Sequence, residues 1–147
     1  MAGPGSRTTR LLVAFGGWTL LVWGTRIDNI LGQDDLTSGG RASRLALALS
    51  FTLLGAGLLA VAWRFRRRPL TGPAVLLIAV GAAWTTGVWV VRGVAIAAGD
   101  HAGAFIAVHS VLAVVSIALA AVTVHATTMP LRHGTTGHRR TEADLAS

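Results

Sequence analysis

The sequence predicts an all-α protein: a four-helix transmembrane bundle made of two related helical hairpins. Three observations predict it. First, 52% of the residues are hydrophobic and 13% charged, with a mean hydropathy of +0.61, whereas a soluble domain carries about a quarter charged residues. Second, long apolar stretches recur four times, each near the roughly 20 residues needed to cross about 30 Å of hydrocarbon. Third, all 13 basic residues are arginines, and they are distributed unevenly among the connections.

The first span is expected over residues 11–31, after a short cytoplasmic N-terminal segment, 1–10, that contains Arg7 and Arg10. A cleaved signal peptide has a similar basic start. Here the apolar run continues too far and has no clear small-x-small site before Arg26, so an uncleaved helix is the better reading. Arg26 and Asp28 interrupt this span near its end. A polar outer loop, 32–44, leads to the second span, 45–63, and a basic turn, 64–72, leads to the third, 73–98, which Arg92 interrupts. A short connection around Gly99, Asp100 and His101 precedes the fourth span, 103–126. Beyond it, Met129 and Pro130 are expected to end any helix, leaving 127–147 as a disordered cytoplasmic tail.

The arginines orient these spans through the positive-inside rule. Arg7, Arg10, Arg64, Arg66, Arg67, Arg68, Arg132, Arg139 and Arg140 share one side, which is therefore cytoplasmic, with both chain ends. Arg26, Arg41, Arg44 and Arg92 lie on or near the other side, where Asp28, Asp34, Asp35 and Asp100 balance them. The net charge of +7 thus reads as a topology signal and not as a nucleic-acid footprint. The cluster Arg64, Arg66, Arg67 and Arg68 is a candidate contact for anionic lipid headgroups. With no cysteine in the chain, disulfides, zinc-thiolate centres, iron-sulfur clusters and thiol nucleophiles are excluded.

An internal repeat is the most specific pattern present. Trp18, Thr19, Val22, Trp23 and Arg26 spell W-T-x-x-V-W-x-x-R, and Trp84, Thr85, Val88, Trp89 and Arg92 spell it again. Ser50 and Ser116 fall in the same register. The pattern predicts a hairpin duplication whose halves are related by an axis along the membrane normal. On a helix each copy covers an arc of about 140°, a single face. Arg92 lies roughly 28 Å from Pro73 and Arg26 roughly 24 Å from Arg10, so both guanidiniums are expected at similar depth in the outer leaflet.

Three readings of these arginines stand side by side. They snorkel to headgroups, or they turn inward as a polar network, or they form an anion or substrate site. In the second case Asp28, Asp100 or Asn29 would pair with them and Trp23 and Trp89 would stack against them. Trp23, Trp89 and Trp63 also suit an aromatic belt at the membrane edges, while Trp18 and Trp84 lie deeper and suit packing. Small residues at Gly16, Gly17, Ser50, Gly55, Gly57, Gly81 and Gly87 permit close helix approach.

His109 is expected roughly 10 Å below the outer surface, as a hydrogen-bonded core residue, a proton relay or a haem ligand. A single haem cannot join it to His125, which lies roughly 24 Å farther along the same helix and about 160° around it. His101 beside Asp100 makes a weak metal pair, better read as exposed loop residues. Asp34 and Asp35 suit loop solvation. No phosphate loop, G-x-S-x-G elbow or H-E-x-x-H motif is present, so no catalytic residue, metal or cofactor is assigned.

The W-T-x-x-V-W-x-x-R-x-x-N-I run from Trp18 to Ile30, W-T-x-G-V-W-V-V-R from Trp84 to Arg92, and G-D-H-x-x-x-F-x-x-V-H-S from Gly99 to Ser110 resemble uncharacterised small four-span integral membrane proteins of high-GC Gram-positive bacteria. The resemblance covers most of the chain apart from its ends. It implies the architecture and a place in the cell membrane, and carries over no functional residues.

The expected role is a non-enzymatic accessory, assembly or structural subunit that acts through helix contacts, with the bilayer, a second copy or another membrane protein as partner. One alternative is a small oligomeric transporter or channel with an arginine site for anions. The other is a haem-binding or enzymatic membrane protein that uses His109.

Overall fold

The computed structural model describes residues 4–33 and 37–133. All regular structure among them is helical: α1 (Pro4–Leu31), α2 (Ser38–Arg64), α3 (Gly72–Ala98) and α4 (Gly103–His133). The α2 and α3 helices, and α4 over Gly103–Thr128, are long and apolar enough to cross a membrane. The chain is therefore an all-helical membrane protein. At 28 residues α1 is also long enough, but its last turns carry Arg26, Asp28 and Asn29, which dilute its hydropathy below that of the other three.

Helix ends differ from expectation at three places, each for a local reason. α1 begins at Pro4 rather than near residue 11, since proline suits a first helical turn, where its missing N–H has no helical partner. Residues 38–44, expected in the outer loop, form the first turns of α2. Thr37 caps them, its hydroxyl accepting from the Gly40 amide at 3.2 Å. α4 does not stop before Pro130 but runs to His133. Proline there removes one backbone hydrogen bond close to the helix end, where few bonds remain to be lost. The rest of the expected tail, 134–147, lies outside the described residues, as do Asp34 and Asp35.

The four helices pack unequally. The α1–α2 hairpin is the tightest contact, α3 pairs with α4, α1 also packs on α4, and α2 meets α3 only sparsely. The reason lies in Gly16 and Gly55. A Cβ on Gly16 would stand 2.9 Å from the Gly55 carbonyl oxygen, and one on Gly55 would stand 3.0 Å from that of Gly16. Backbone lies against backbone, which only glycine allows. Gly81 gives the same relief to Leu54 across α2 and α3, while Gly17 and Gly87 face open space and Gly57 makes ordinary contact with Leu77.

Two apolar clusters fill the interior. Toward the basic turn, Leu12, Phe15, Leu58, Ile78 and Ala120 form one; toward the other end, Val22, Trp23, Ala48, Phe51 and Trp89 form the second. Trp23 stacks on Phe51 with parallel planes and centroids 4.1 Å apart, and meets Trp89 at 6.5 Å. Such stacked and tilted aromatic contacts add to plain packing. Buried hydroxyls are mostly satisfied inside their own helices, as lipid requires: Thr19 donates to the Phe15 carbonyl and Thr123 to that of Leu119.

A candidate anion-binding cleft

At the bundle end opposite the basic turn, the C-terminal turns of α1 and α3 meet the N-terminal turns of α2 and α4. A cleft of about 910 Å³ opens there. α1 contributes the longest wall, from Trp18 to Gln33. Arg44 and Leu47 come from α2, Arg92 from α3, and Phe105, His109 and Leu112 from α4.

Its polar part is built around Arg26. The Arg26 Nη2 lies 3.0 Å from Nε2 of His109, and the other ring nitrogen of His109, Nδ1, lies 2.9 Å from the Phe105 carbonyl oxygen. A carbonyl only accepts, so Nδ1 carries the proton and Nε2 accepts from the guanidinium. The imidazole is neutral in this arrangement, since a proton on Nε2 would set donor against donor. Both ring nitrogens are engaged. The Phe105 ring is sandwiched between His101 at 4.9 Å and His109 at 4.0 Å, fixing the imidazole from the side. Arg26 also lies over the Trp23 ring at 5.6 Å.

Arg92 is held differently. Its Nε is buried and has no hydrogen-bond partner among the described residues. Arg44 donates from Nη1 to the Gln33 side-chain oxygen at 3.1 Å, tying the start of α2 to the end of α1. Arg26, Arg44 and Arg92, like charges lining one cleft, repel one another. Among the described residues, no aspartate or glutamate lines the cleft. Two half-buried guanidiniums, Arg26 and Arg92, and the exposed one of Arg44 thus share one cleft, with no carboxylate among its described lining residues.

Of the residues that the sequence singled out, the cleft gathers Trp23, Arg26, Asn29, Arg92 and His109. Trp89 is buried in the core beside Trp23, and its Nε1 has no partner among the described residues. Of the possible partners weighed for the arginines, Asp28 and Asp100 do not line the cleft, whereas Asn29 does, and Arg26 hydrogen-bonds His109. Asp28 is exposed: two residues from Arg26, it points about 200° around the helix, away from the cleft. Asp100 lies exposed beyond the end of α3. His101 contacts Phe105 and belongs to no group of three or more metal-ligating residues among those described.

Sequence reasoning missed Arg44, Gln33, Phe105 and Trp18 as lining residues. For Arg44 a signal existed: it opens the second hydrophobic stretch at the same end of the bundle as Arg26 and Arg92. For Trp18 the contact is tertiary, its Nε1 donating to Ser116 Oγ on α4 at 2.9 Å. At the far end, Arg64, Arg66, Arg67 and Arg68 are all exposed, with Arg64 over Phe65 at 5.9 Å and Arg66 over Trp63 at 5.5 Å.

Comparison with known proteins finds no matching family model, no matching curated protein and no matching solved structure.

Proposed function

We propose that this protein is a multi-pass membrane protein that binds an anion in the Arg26–Arg44–Arg92 cleft, on the extracytoplasmic side of the cell membrane. The carrying observation is that three arginines line one cleft in which no carboxylate is found among the described lining residues. Gathering like charges in a low-dielectric setting is costly unless a counter-charge is recruited. A bound anion supplies that counter-charge, and Arg92, whose side chain lines the cleft, is a donor to it.

The reading includes four crossings, with both ends and the basic turn in the cytoplasm. α1 completes the fourth crossing: Arg26 lies near its outer end and hydrogen-bonds His109 of α4, so the guanidinium turns toward the cleft and not toward hydrocarbon. The exposed Arg64–Arg68 turn then lies at the cytoplasmic headgroups, where anionic lipids attract it. An anion-binding role takes precedence over a purely structural subunit, because packing alone gives no reason to gather these charges. The protein is read as non-enzymatic.

The test uses the full chain in an uncharged detergent, with inorganic phosphate and dodecyl phosphate as probes. Native mass spectrometry is expected to show saturable binding of at least one of them, weakened about tenfold by Arg92→Gln. If neither probe binds, or if Arg92→Gln and Arg44→Gln both leave binding unchanged, the reading fails.

A further inference from the structure

Resting on the anion-binding reading, we infer that the anion is the headgroup of an amphiphile whose alkyl chain lies in the same cleft, between α1 and α4. The cleft changes character along its length. Between Arg26 and Gln33, about 10 Å along the chain, the lining is mostly polar, with Arg26, Asn29, Gln33, Arg44 and Arg92 beside the apolar Ile30. Between Trp18 and Trp23, the next 8 Å or so toward the bundle centre, the lining turns to Trp18, Leu21, Val22, Leu47 and Leu112.

Volume argues the same way. The cleft, about 910 Å³, is open on one side and far larger than a single small anion. A single inorganic anion would leave most of that space, including the apolar half, unfilled. An anionic group with an alkyl chain matches both halves, charge to guanidinium and chain to leucine and tryptophan. The route is lateral. Leu21, on the cleft wall, is 62% exposed on the bundle surface, so the apolar half opens toward the hydrocarbon. The Trp18–Ser116 hydrogen bond spans α1 and α4 at the deep end and marks where the chain must stop.

The same chemistry could come from a bilayer lipid or from a free phosphate ester, and the experiment separates them. The full chain, with Trp63→Phe and Trp84→Phe to remove two tryptophans that are 67% and 47% exposed, is reconstituted in phosphatidylcholine vesicles. Either phosphatidylglycerol or phosphatidylcholine carries bromine on its acyl chains, at equal mole fraction, and bromine quenches tryptophans it touches. The expected result is stronger quenching by the brominated anionic lipid, reduced to the zwitterionic level by Arg92→Gln or Arg44→Gln and not relieved by glycerol phosphate or inorganic phosphate.

Equal quenching by both lipids, together with Arg92-dependent binding of glycerol phosphate or inorganic phosphate, overturns this inference and leaves the anion-binding reading standing. Equal quenching with no binding of either soluble phosphate overturns both. Circular dichroism and gel filtration of the variants confirm that they remain folded.

Discussion

Arg26 and His109 lie 83 residues apart in the chain, yet the guanidinium Nη2 of one sits 3.0 Å from the imidazole Nε2 of the other. This contact joins α1 to α4 at the mouth of the cleft and gives a half-buried charge a neutral acceptor. A neutral partner leaves the positive charge of Arg26 in place, where a carboxylate would have cancelled it.

Replacing His109 should therefore destabilise the fold without opening a cavity in either core cluster. His109→Ala leaves Arg26 with one fewer acceptor, and a hydrogen bond to a charged group contributes about 1.5–3 kcal/mol. Thermal unfolding in detergent should fall accordingly. His109→Asp should bind anions more weakly than the parent, since it introduces a carboxylate beside Arg26. Unchanged binding in His109→Asp would argue against Arg26 as a ligand-facing charge.

The two serines that share a register should behave differently. Ser116 accepts from Trp18 Nε1 at 2.9 Å, whereas Ser50 bonds the Leu47 carbonyl of its own helix at 2.7 Å. Ser116→Ala should cost about 1 kcal/mol and shift tryptophan emission, and Ser50→Ala should leave emission unchanged. A double-mutant cycle with Trp18→Phe should show that the Ser116 effect vanishes once the indole is gone.

Gly16 and its neighbour Gly17 offer an internal control. Gly16→Ala drives a methyl into the Gly55 carbonyl oxygen, whereas Gly17→Ala points into open space. The first should lower stability by about 1–3 kcal/mol; the second should have no measurable effect. Comparable melting of both variants would mean that the α1–α2 crossing is looser than described.

Phe51 is fully buried between Trp23 and Trp84. In a water-soluble core Phe→Ala costs about 3–5 kcal/mol. Lipid tails are as apolar as the core, so the transfer part of that loss largely disappears and the lost packing remains. Phe51→Ala should therefore cost about 2 kcal/mol, measured by unfolding in mixed micelles.

Orientation can be checked cleanly because the chain has no cysteine. Asp100→Cys should react with a membrane-impermeant maleimide on intact cells, and Arg67→Cys only after permeabilisation. The reverse pattern would invert the topology and place the arginine cleft in the cytoplasmic leaflet.

Much of the helix plan was legible in the chain. The third span was expected over 73–98 and the helix is Gly72–Ala98; the fourth was expected to start at Gly103 and does. Ends set by local chemistry were harder to read. Thr37 capping Ser38–Arg44, and α4 running on through Pro130, depend on one hydrogen bond more or less at a helix terminus, an energy too small to mark the composition. The cleft was half legible: spacing put Arg26 and Arg92 at one depth, but Arg44 looked like a loop residue because the helix start was placed after it.

By itself, the sequence determined that the chain is helical and membrane-embedded, because a charge-poor polypeptide can satisfy its backbone in hydrocarbon only by pairing within each segment. It also determined that the arginines divide between the two ends of the bundle. The tertiary structure alone decided which partner each arginine meets. Asp28 was the neighbour in sequence, but the helical turn sends it about 200° away and brings His109, from a helix 83 residues on, into hydrogen-bonding range. Whether a charge is cancelled or left available depends on how the helices are rotated against one another. That rotation is set by backbone contacts such as Gly16 on Gly55 and by stacked rings such as Trp23 on Phe51, and no local pattern of residues records it.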